Sequence, residues 1–303
     1  MKKFILKNWL VIIILFIMLV AISVCAIDEL KVINSNYEYV SQKIIECKQN
    51  LEKRENNASY NTFCQQLVDN QNIKVDFYTA FTDVLVWKLH FLNPIAFLII
   101  VIPLLYNICN KFKYKFIINS LTRQSYCSYV KSMLKEAYKY IWSLVLIIGT
   151  LIFILAINTT FDATYAINNS TVVWNAQLIK RPVLFIFLYL LNILMYSFTF
   201  ANIGLIVAKK HHRFISCVIL SYLVYLGTEL FLEIGVTMII SNILLKSDFG
   251  IIFNIMNLFM FNDVFGAGTL LLFSFIVMMI SFILLYFVYK NKEKLVISCE
   301  KNN

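Results

Sequence analysis

Long uncharged stretches of membrane-spanning length recur along this chain of 303 residues. A helix needs about 20 apolar residues to cross the hydrocarbon core of a bilayer. Five uncharged runs come close to or exceed that length, and they cover residues 9–27, 89–110, 140–161, 182–208 and 264–289. One more span, the fifth of six in chain order, is predicted from Phe214 to Ile240, where Glu229 and Glu233 follow a shorter apolar run. The pattern therefore predicts an all-α membrane protein with six transmembrane helices.

Two apolar stretches are interpreted differently from an ordinary span. The run 249–262 is bounded by Asp248 and Asp263 and is too short to cross, so it predicts a re-entrant or interfacial segment before span six. The first run, within 1–27, follows two lysines as a signal peptide does. It is longer than a usual signal core, and no Ala-x-Ala site follows it, so we interpret it as an uncleaved first transmembrane helix.

Composition excludes a soluble globule. Hydrophobic residues make up 60% and charged residues 15% of the chain, against about 45–50% and about 25% in soluble domains. The patterns GxxxxGK[ST], HExxH and GxSxG are all absent, so no nucleotide-binding, metalloprotease or hydrolase motif is present. We therefore expect neither an enzyme nor a resident metal. We expect the chain to contact membrane lipids and not nucleic acid.

The distribution of basic residues predicts the orientation. With six spans both termini lie on one side, and placing them in the cytoplasm puts 17 of the 27 Lys and Arg residues there. Such an excess of cytoplasmic Lys and Arg is typical of membrane proteins. The expected location is a bacterial cytoplasmic membrane, as a multi-pass protein.

The segment 28–88 is polar and lies on the predicted outer face between spans one and two. Its apolar residues recur at helical spacing up to about Glu55, and a second helical stretch follows an Asn-Asn turn, so we expect a small helical cap. Cys47 and Cys64 both lie there. They pair if the compartment is oxidising, or they remain two packed thiols, and the sequence does not choose between these alternatives.

The inner segment 111–139, between spans two and three, is rich in lysine. A short apolar piece, 116–121, precedes an amphipathic pattern that begins near Ser125 and runs straight into span three. A continuous helix of this kind would act as a stiff lever on the span. The alternative is a basic interfacial helix that binds anionic lipid.

The stretch Leu121-Thr122-Arg123-Gln124-Ser125-Tyr126, with Tyr129-Val130-Lys131 after it, resembles the end of the coupling element in permease subunits of type-two ABC exporters. The six-span layout and the run 249–262 resemble that family as well. The resemblance implies that this chain docks on an ATPase subunit, present in two copies, which binds ATP and Mg. It also implies a second permease subunit, identical or related, and export of a peptide or lipid-like amphiphile. The residues expected to carry the coupling are Phe116, Ile117, Leu121, Arg123 and Lys131.

Within the spans, three residues are candidates for a role in transport. Glu229 and Glu233 share one helix face, and intramembrane acids usually face a bundle interior or a water-filled path. They are candidates for a translocation path; the alternative is that they reach the headgroups or pair with Lys180 or Arg181. Pro103, in the middle of span two, is a candidate hinge because proline removes a helical hydrogen bond.

A function of another class also fits the sequence. A non-transporting immunity or sensor protein would bind its ligand through the outer cap and would not need a lever into span three. The basic segment 111–139 favours the exporter subunit.

Overall fold

The protein is described here from a computed structural model. The structure describes residues 2–52, 76–84, 92–112, 114–161, 181–211, 213–232, 234–235 and 266–290. Over these residues the chain is almost wholly helical, and its one isolated β-bridge joins Asp76 to Thr160. The all-α prediction is confirmed. The predictions for Cys64, Glu233 and the segment 249–262 fall outside the described residues.

The helices of the described part are numbered in chain order. They are α1 (Lys2–Glu52), α2 (Phe77–Asp83), α3 (Leu92–Ile108), α4 (Tyr114–Leu121), α5 (Tyr126–Ala137), α6 (Trp142–Asn158), α7 (Pro182–Lys210), α8 (Phe214–Leu230) and α9 (Gly266–Tyr289). Two 3₁₀ turns, Cys109–Phe112 and Tyr138–Ile141, follow α3 and α5 respectively.

Among the described residues, four stretches of helix are long and apolar enough to cross a membrane: Ile12–Val32, Tyr126–Asn158, Pro182–Lys210 and Gly268–Tyr289. Two shorter apolar helices, Pro94–Ile108 and Phe214–Leu230, coincide with the other two predicted spans. The chain is therefore a membrane protein with several apolar helices, and the count of six spans stays a prediction.

The first span and the first helix of the predicted cap are one uninterrupted helix, α1, of 51 residues. The predicted boundary between the first span and the cap, after residue 27, therefore does not coincide with a helix end. Physically, residues 28–36 contain neither proline nor glycine, so nothing in this stretch breaks the helix.

The chain divides into two compact units. The first comprises Met1–Leu19, Phe91–Gly149 and Val173–Asn303, and the second comprises Val20–His90 and Thr150–Val172.

In the first unit, α7 is the central helix and packs against α3, α8 and α9. The contacts of α7 with α9 follow the same order along both helices: Ser274 Oγ donates to Asn192 Oδ1 at 2.5 Å, and Asn202 Nδ2 donates to Ser281 Oγ at 2.8 Å. The two helices are therefore parallel. Parallel neighbours require the chain between them to return along the unit, as the predicted fifth span does.

Aromatic rings fill the space between α3, α7 and α8. Tyr225 stacks on Phe97, with ring centroids 4.7 Å apart, and meets Phe200 edge-on at 5.4 Å. Gly204 on α7 faces α3 closely, since a Cβ at that position would lie 3.4 Å from a methyl group of Val101, in van der Waals contact. Close packing of this kind is what holds helices together in lipid, where burial of apolar surface contributes little.

In the second unit, Asp76 begins α2. Its carboxylate accepts hydrogen bonds from Thr79 N at 2.8 Å and Thr79 Oγ1 at 2.7 Å, which satisfies a free donor at the helix start. Phe77 N donates to Thr160 O at 2.8 Å. The ring of Phe77 then lies 4.8 Å from that of Phe161, so a backbone bond and an aromatic contact fix α2 beside residues 160–161.

Candidate functional site

The inner segment folds as two helices joined by a tight turn, as its sequence predicts. Helix α4 covers the short apolar piece, and α5 begins after Ser125, whose hydroxyl accepts a hydrogen bond from Ser128 N at 3.3 Å. Serine is a favoured residue at this position because its side chain satisfies a free backbone donor. The 3₁₀ turn Tyr138–Ile141 joins α5 to α6, so helical structure continues from Tyr126 to Asn158.

Helix α5 is attached along its length to neighbouring helices of the first unit. Tyr126 Oη donates to Tyr289 O at 2.6 Å, at the end of α9. Tyr129 Oη donates to Lys111 O at 2.9 Å, just after α3. In the turn that follows α5, Tyr138 Oη donates to Asn202 Oδ1 at 2.8 Å, on α7. The helix is thus held by three neighbours and does not project freely beyond the bundle.

These contacts define one end of the first unit, which we call the basic end. Here α3, α7 and α9 end and α5 and α8 begin: Lys209 Nζ, at the end of α7, donates to Val288 O, and Tyr106 at the end of α3 meets Phe214 at the start of α8 edge-on. Its described cations are Lys111, Arg123, Lys131, Lys135, Lys139, Lys209, Lys210, Arg213 and Lys290. This is the end that the sequence predicts to be cytoplasmic.

The residues expected to carry coupling differ in their exposure. Ile117 is fully buried and Leu121 is half-buried, so both pack within the chain. Arg123 and Lys131 are exposed. Phe116 lies within α4. The side chains open to a partner are therefore the cations, while Ile117 anchors α4 to the protein.

The only acid in the segment 111–139 is Glu136, and its carboxylate forms an ion pair with Lys111. Lys131 and Lys135 are exposed and lie four residues apart, which places them on one face of α5, and the exposed Lys139 follows in the turn after it. The exposed surface of α5 is consequently cationic.

Glu229 is buried in the interior of the first unit, with 2% of its surface exposed. It continues a stripe of buried residues along α8, one every four positions: Cys217, Ser221, Tyr225 and Glu229. The carboxylate is close enough to interact electrostatically with Tyr196 on α7 and with Tyr225. Ser221 Oγ is also buried and has no hydrogen-bond partner among the described residues.

The alternative of pairing with Arg181 does not agree with this position. Arg181 is exposed and precedes α7, whereas Tyr196 is 15 residues further along that helix, or about 22 Å away at 1.5 Å per residue. The carboxylate lies at the level of Tyr196. Lys180, the other candidate, lies outside the described residues.

Sequence reasoning missed a polar network that joins Tyr196 on α7 to α9. The Tyr196 hydroxyl hydrogen-bonds to Ser274 on α9, and Ser274 in turn donates to Asn192. Asparagine is uncommon in an apolar span and often bonds to a neighbouring helix there. Asn192, within the long uncharged run 182–208, was the signal that could have located this network.

In α3 the helix continues through Pro103. Asn107 Nδ2, four residues on, donates to Pro103 O at 3.2 Å and to Tyr140 Oη at 2.6 Å. A side chain thus joins the turn after the proline to the 3₁₀ turn that follows α5. The hinge role of Pro103 stays a prediction.

The described residues of the predicted cap lie in the second unit, and several of them carry charge or sulfur. Asp83 lies near Glu29 and Asp76, and burial, reinforced by those two carboxylates, raises the pKa of Asp83 to about 6. Burial and Asp76 also raise the pKa of Tyr78 to about 12. Cys47 is disulfide-bonded, which agrees with the oxidising alternative; its predicted partner, Cys64, lies outside the described residues.

No group of three or more His, Cys, Asp or Glu side chains in the described part of the chain is arranged to hold a metal ion. Comparison with known proteins identifies no relative: no protein-family model, no curated protein and no solved structure matches the chain.

Proposed function

We propose that this chain is the membrane-spanning permease subunit of an ATP-driven exporter of the type-two ABC class. It would move a peptide or lipid-like amphiphile outward across the bacterial cytoplasmic membrane. ATP and Mg would bind to a separate ATPase subunit, two copies of which would act with this chain and a second permease subunit.

The attachment of α5 is the observation that carries the proposal. A coupling element must pass a displacement at its surface to the spanning helices. Helix α5 leads into α6 through the 3₁₀ turn Tyr138–Ile141, and it is bonded to Lys111 in the turn after α3 and to Tyr289 at the end of α9. A push on the turn 122–125 would therefore reach several spanning helices together, because each is joined to α5 by a directed bond.

The interior of the first unit supports a path for polar cargo. Glu229 and Ser221 are buried on α8 and face the bundle, where an ionisable residue usually marks a pathway or a functional contact. At such a buried position, a residue with no role in transport would be expected to be apolar.

The test is purification from membranes of the native host in mild detergent after gentle crosslinking, followed by identification of bound proteins. An ATPase in stoichiometric amount is expected. The double charge reversal Arg123→Glu with Lys131→Glu should release it, because both cations are exposed on the coupling surface. The matched control, Lys31→Glu with Lys48→Glu, reverses two exposed charges on α1 in the second unit and should retain the ATPase.

A second candidate function is a non-transporting immunity or sensor protein that binds a ligand through its outer cap. One observation favours it: α1 continues for 20 residues beyond Val32, or about 30 Å, and carries the disulfide-bonded Cys47. A chain recovered alone from crosslinked membranes, with no ATPase, would contradict the exporter proposal and support this one.

A further inference from the structure

A cationic surface leads directly into an apolar one where α5 passes into α6. Lys135 on α5 and Lys139 in the 3₁₀ turn after it are both exposed. Trp142 begins α6 with 54% of its surface exposed, and Leu146, one turn further on, is 58% exposed. The exposed apolar surface of a helix long enough to cross a membrane thus starts within a few residues of the last lysine.

Lys139, Trp142 and Leu146 lie along one side of the helix. Lys139 and Trp142 are three residues apart across the 3₁₀ turn Tyr138–Ile141, and residues three apart in a 3₁₀ helix lie one above the other. Trp142 and Leu146 are four residues apart on α6 and share a face as well. The three side chains therefore form one exposed stripe that is cationic at one end, aromatic in the middle and aliphatic at the other end.

Two other helices of the basic end show the same order of exposed residues. Arg213 is exposed just before α8, and Ile215, two residues on, is 69% exposed. On α9, Phe287 is 65% exposed and precedes the exposed Lys290 by three residues. Cations next to exposed apolar or aromatic residues are typical of the boundary between hydrocarbon and headgroups. The headgroup layer therefore meets the first unit at its basic end.

Distance along the helix axis separates the cations that can reach this layer from those that cannot. The layer is roughly 5–8 Å thick on each side of the hydrocarbon core. At about 2 Å per residue in the 3₁₀ turn and about 1.5 Å in α5, Lys139 lies about 6 Å from Trp142. Lys135 lies about 12 Å away, within reach of a lysine side chain that bends back toward the membrane. Lys131, at about 18 Å, and Arg123, further still, lie beyond the layer.

We propose that Lys135, Lys139 and Trp142 form a binding site for an anionic phospholipid in the leaflet at the basic end. The two ammonium groups bind the phosphate and the charged headgroup, the indole lies at the headgroup boundary, and an acyl chain runs along Leu146. Charge complementarity favours this occupant, because the only acid in the segment 111–139 is Glu136, whose carboxylate is paired with Lys111.

The lipid site does not depend on the proposed export function. It requires only that the chain is a membrane protein whose basic end meets the headgroups. It also divides the cationic surface by height, because Arg123 and Lys131 remain open to a protein partner while Lys135 and Lys139 hold the lipid.

The test uses the full-length protein in vesicles of equal parts phosphatidylglycerol, which is anionic, and phosphatidylcholine, which is not. Bromine is placed on the acyl chains of one lipid or the other, because it quenches tryptophan fluorescence on contact. The difference between the wild type and Trp142→Phe isolates the signal of Trp142. Brominated phosphatidylglycerol should quench this signal more strongly than brominated phosphatidylcholine does.

Lys135→Gln with Lys139→Gln should lower the relative affinity for phosphatidylglycerol by up to about 30-fold, at about fivefold for each lysine near an anionic surface. The matched control, Arg123→Gln with Lys131→Gln, removes two exposed cations beyond the headgroup layer and should keep the wild-type preference. Every substituted side chain is exposed, so the variants lose no buried contact.

Equal quenching of Trp142 by the two brominated lipids in the wild type would overturn the proposal. A preference for phosphatidylglycerol that survives the substitution of Lys135 and Lys139 would overturn it as well. Either result would leave these two lysines to a protein partner.

Discussion

The ammonium group of Lys111 forms an ion pair with the carboxylate of Glu136, which lies 25 residues further along the chain. Each side chain is 19% exposed, so the pair is shielded from much of the solvent. Lys111 belongs to the turn after α3 and Glu136 to α5. The pair therefore joins the end of α3 to α5, the proposed coupling helix, where a displacement of α5 would reach the other helices of the first unit.

Replacing Glu136 by Gln should uncouple the two helices without unfolding the protein. Exposed ion pairs contribute about 0.2–1 kcal/mol, and this partly shielded one should lie near the upper end. We expect a small loss of thermal stability in detergent and, if the chain is the proposed exporter subunit, a larger loss of cargo-stimulated ATP hydrolysis by its complex with the ATPase. The double variant Lys111→Glu with Glu136→Lys exchanges the two charges and should restore both the thermal stability and the ATP hydrolysis. If it restores neither, the ion pair does not have this role.

Asn202 on α7 joins the turn after α5 to α9, because its amide accepts from Tyr138 Oη and donates to Ser281 Oγ. Asn202→Ala should lower the free energy of unfolding by about 1–2 kcal/mol, since interhelical hydrogen bonds in membrane proteins are each worth about 0.6 kcal/mol and at most about 1.7. Unfolding in mixed micelles with increasing sodium dodecyl sulfate measures this. Asn158→Ala is the control, because the Asn158 amide bonds only within its own helix in the described structure and is exposed.

Glu229→Gln keeps the size of the side chain and removes its charge. If Glu229 lines the cargo path, transport should fall by about tenfold or more, which corresponds to about 1.4 kcal/mol in the barrier. Assembly with the ATPase should be unchanged, because Glu229 lies far along α8 from the basic end. Thr228→Val is the matched control, as Thr228 is the exposed neighbour on α8. Unaltered export by Glu229→Gln in reconstituted vesicles would reject the role.

Much of the fold could be predicted because each spanning helix must be apolar over a fixed length. The uncharged run 182–208 predicts α7, whose bounds, Pro182–Lys210, agree closely. The amphipathic pattern after Ser125 likewise predicts α5, since Ser125 is both a helix-capping residue and the start of the periodicity. In both cases a local rule, hydropathy or capping, decides the structure.

What the sequence could not provide is the pairing of side chains between helices. The hydropathy of α7 and α9 is uniform enough that nothing in it indicates that Asn192 meets Ser274 or that the helices are parallel neighbours. The direction of Glu229 was equally open, because a residue 15 positions from the start of an apolar helix can face either lipid or protein. Only the packing of α8 against α3 and α7 decides between them.

Cys47 is disulfide-bonded, and we predict that its partner is Cys64. Mass spectrometry of peptides from the unreduced protein should find these two cysteines linked. Cys47→Ser should lower the thermal stability of the second unit, since a native disulfide typically contributes about 2–4 kcal/mol. Cys25→Ser, which alters a free cysteine on the same helix, is the control. A peptide linking Cys47 to any other cysteine would contradict the predicted pairing.

The carboxyl group of Asp83 gives the stability of the second unit a pH dependence of definite sign. Burial and the nearby Glu29 and Asp76 raise the pKa of Asp83 from 3.8 to about 6. The folded state therefore binds this proton more tightly than the unfolded state, and stability should rise as the pH falls from about 6 to about 4. Above pH 6 the charged carboxylate opposes folding by a constant amount.

Asp83→Asn should remove this dependence, because asparagine has no charge to bury. Thermal melts in detergent between pH 4 and pH 8 should show the variant to be more stable than the wild type at pH 8, with the difference disappearing towards pH 4. Asp28→Asn, which neutralises an exposed acid of the same unit, should leave the pH profile of the wild type unchanged. If Asp83→Asn proved less stable than the wild type at pH 8, the carboxylate would be stabilising the fold. A cation would then have to offset the repulsion of the Asp83 carboxylate by Glu29 and Asp76.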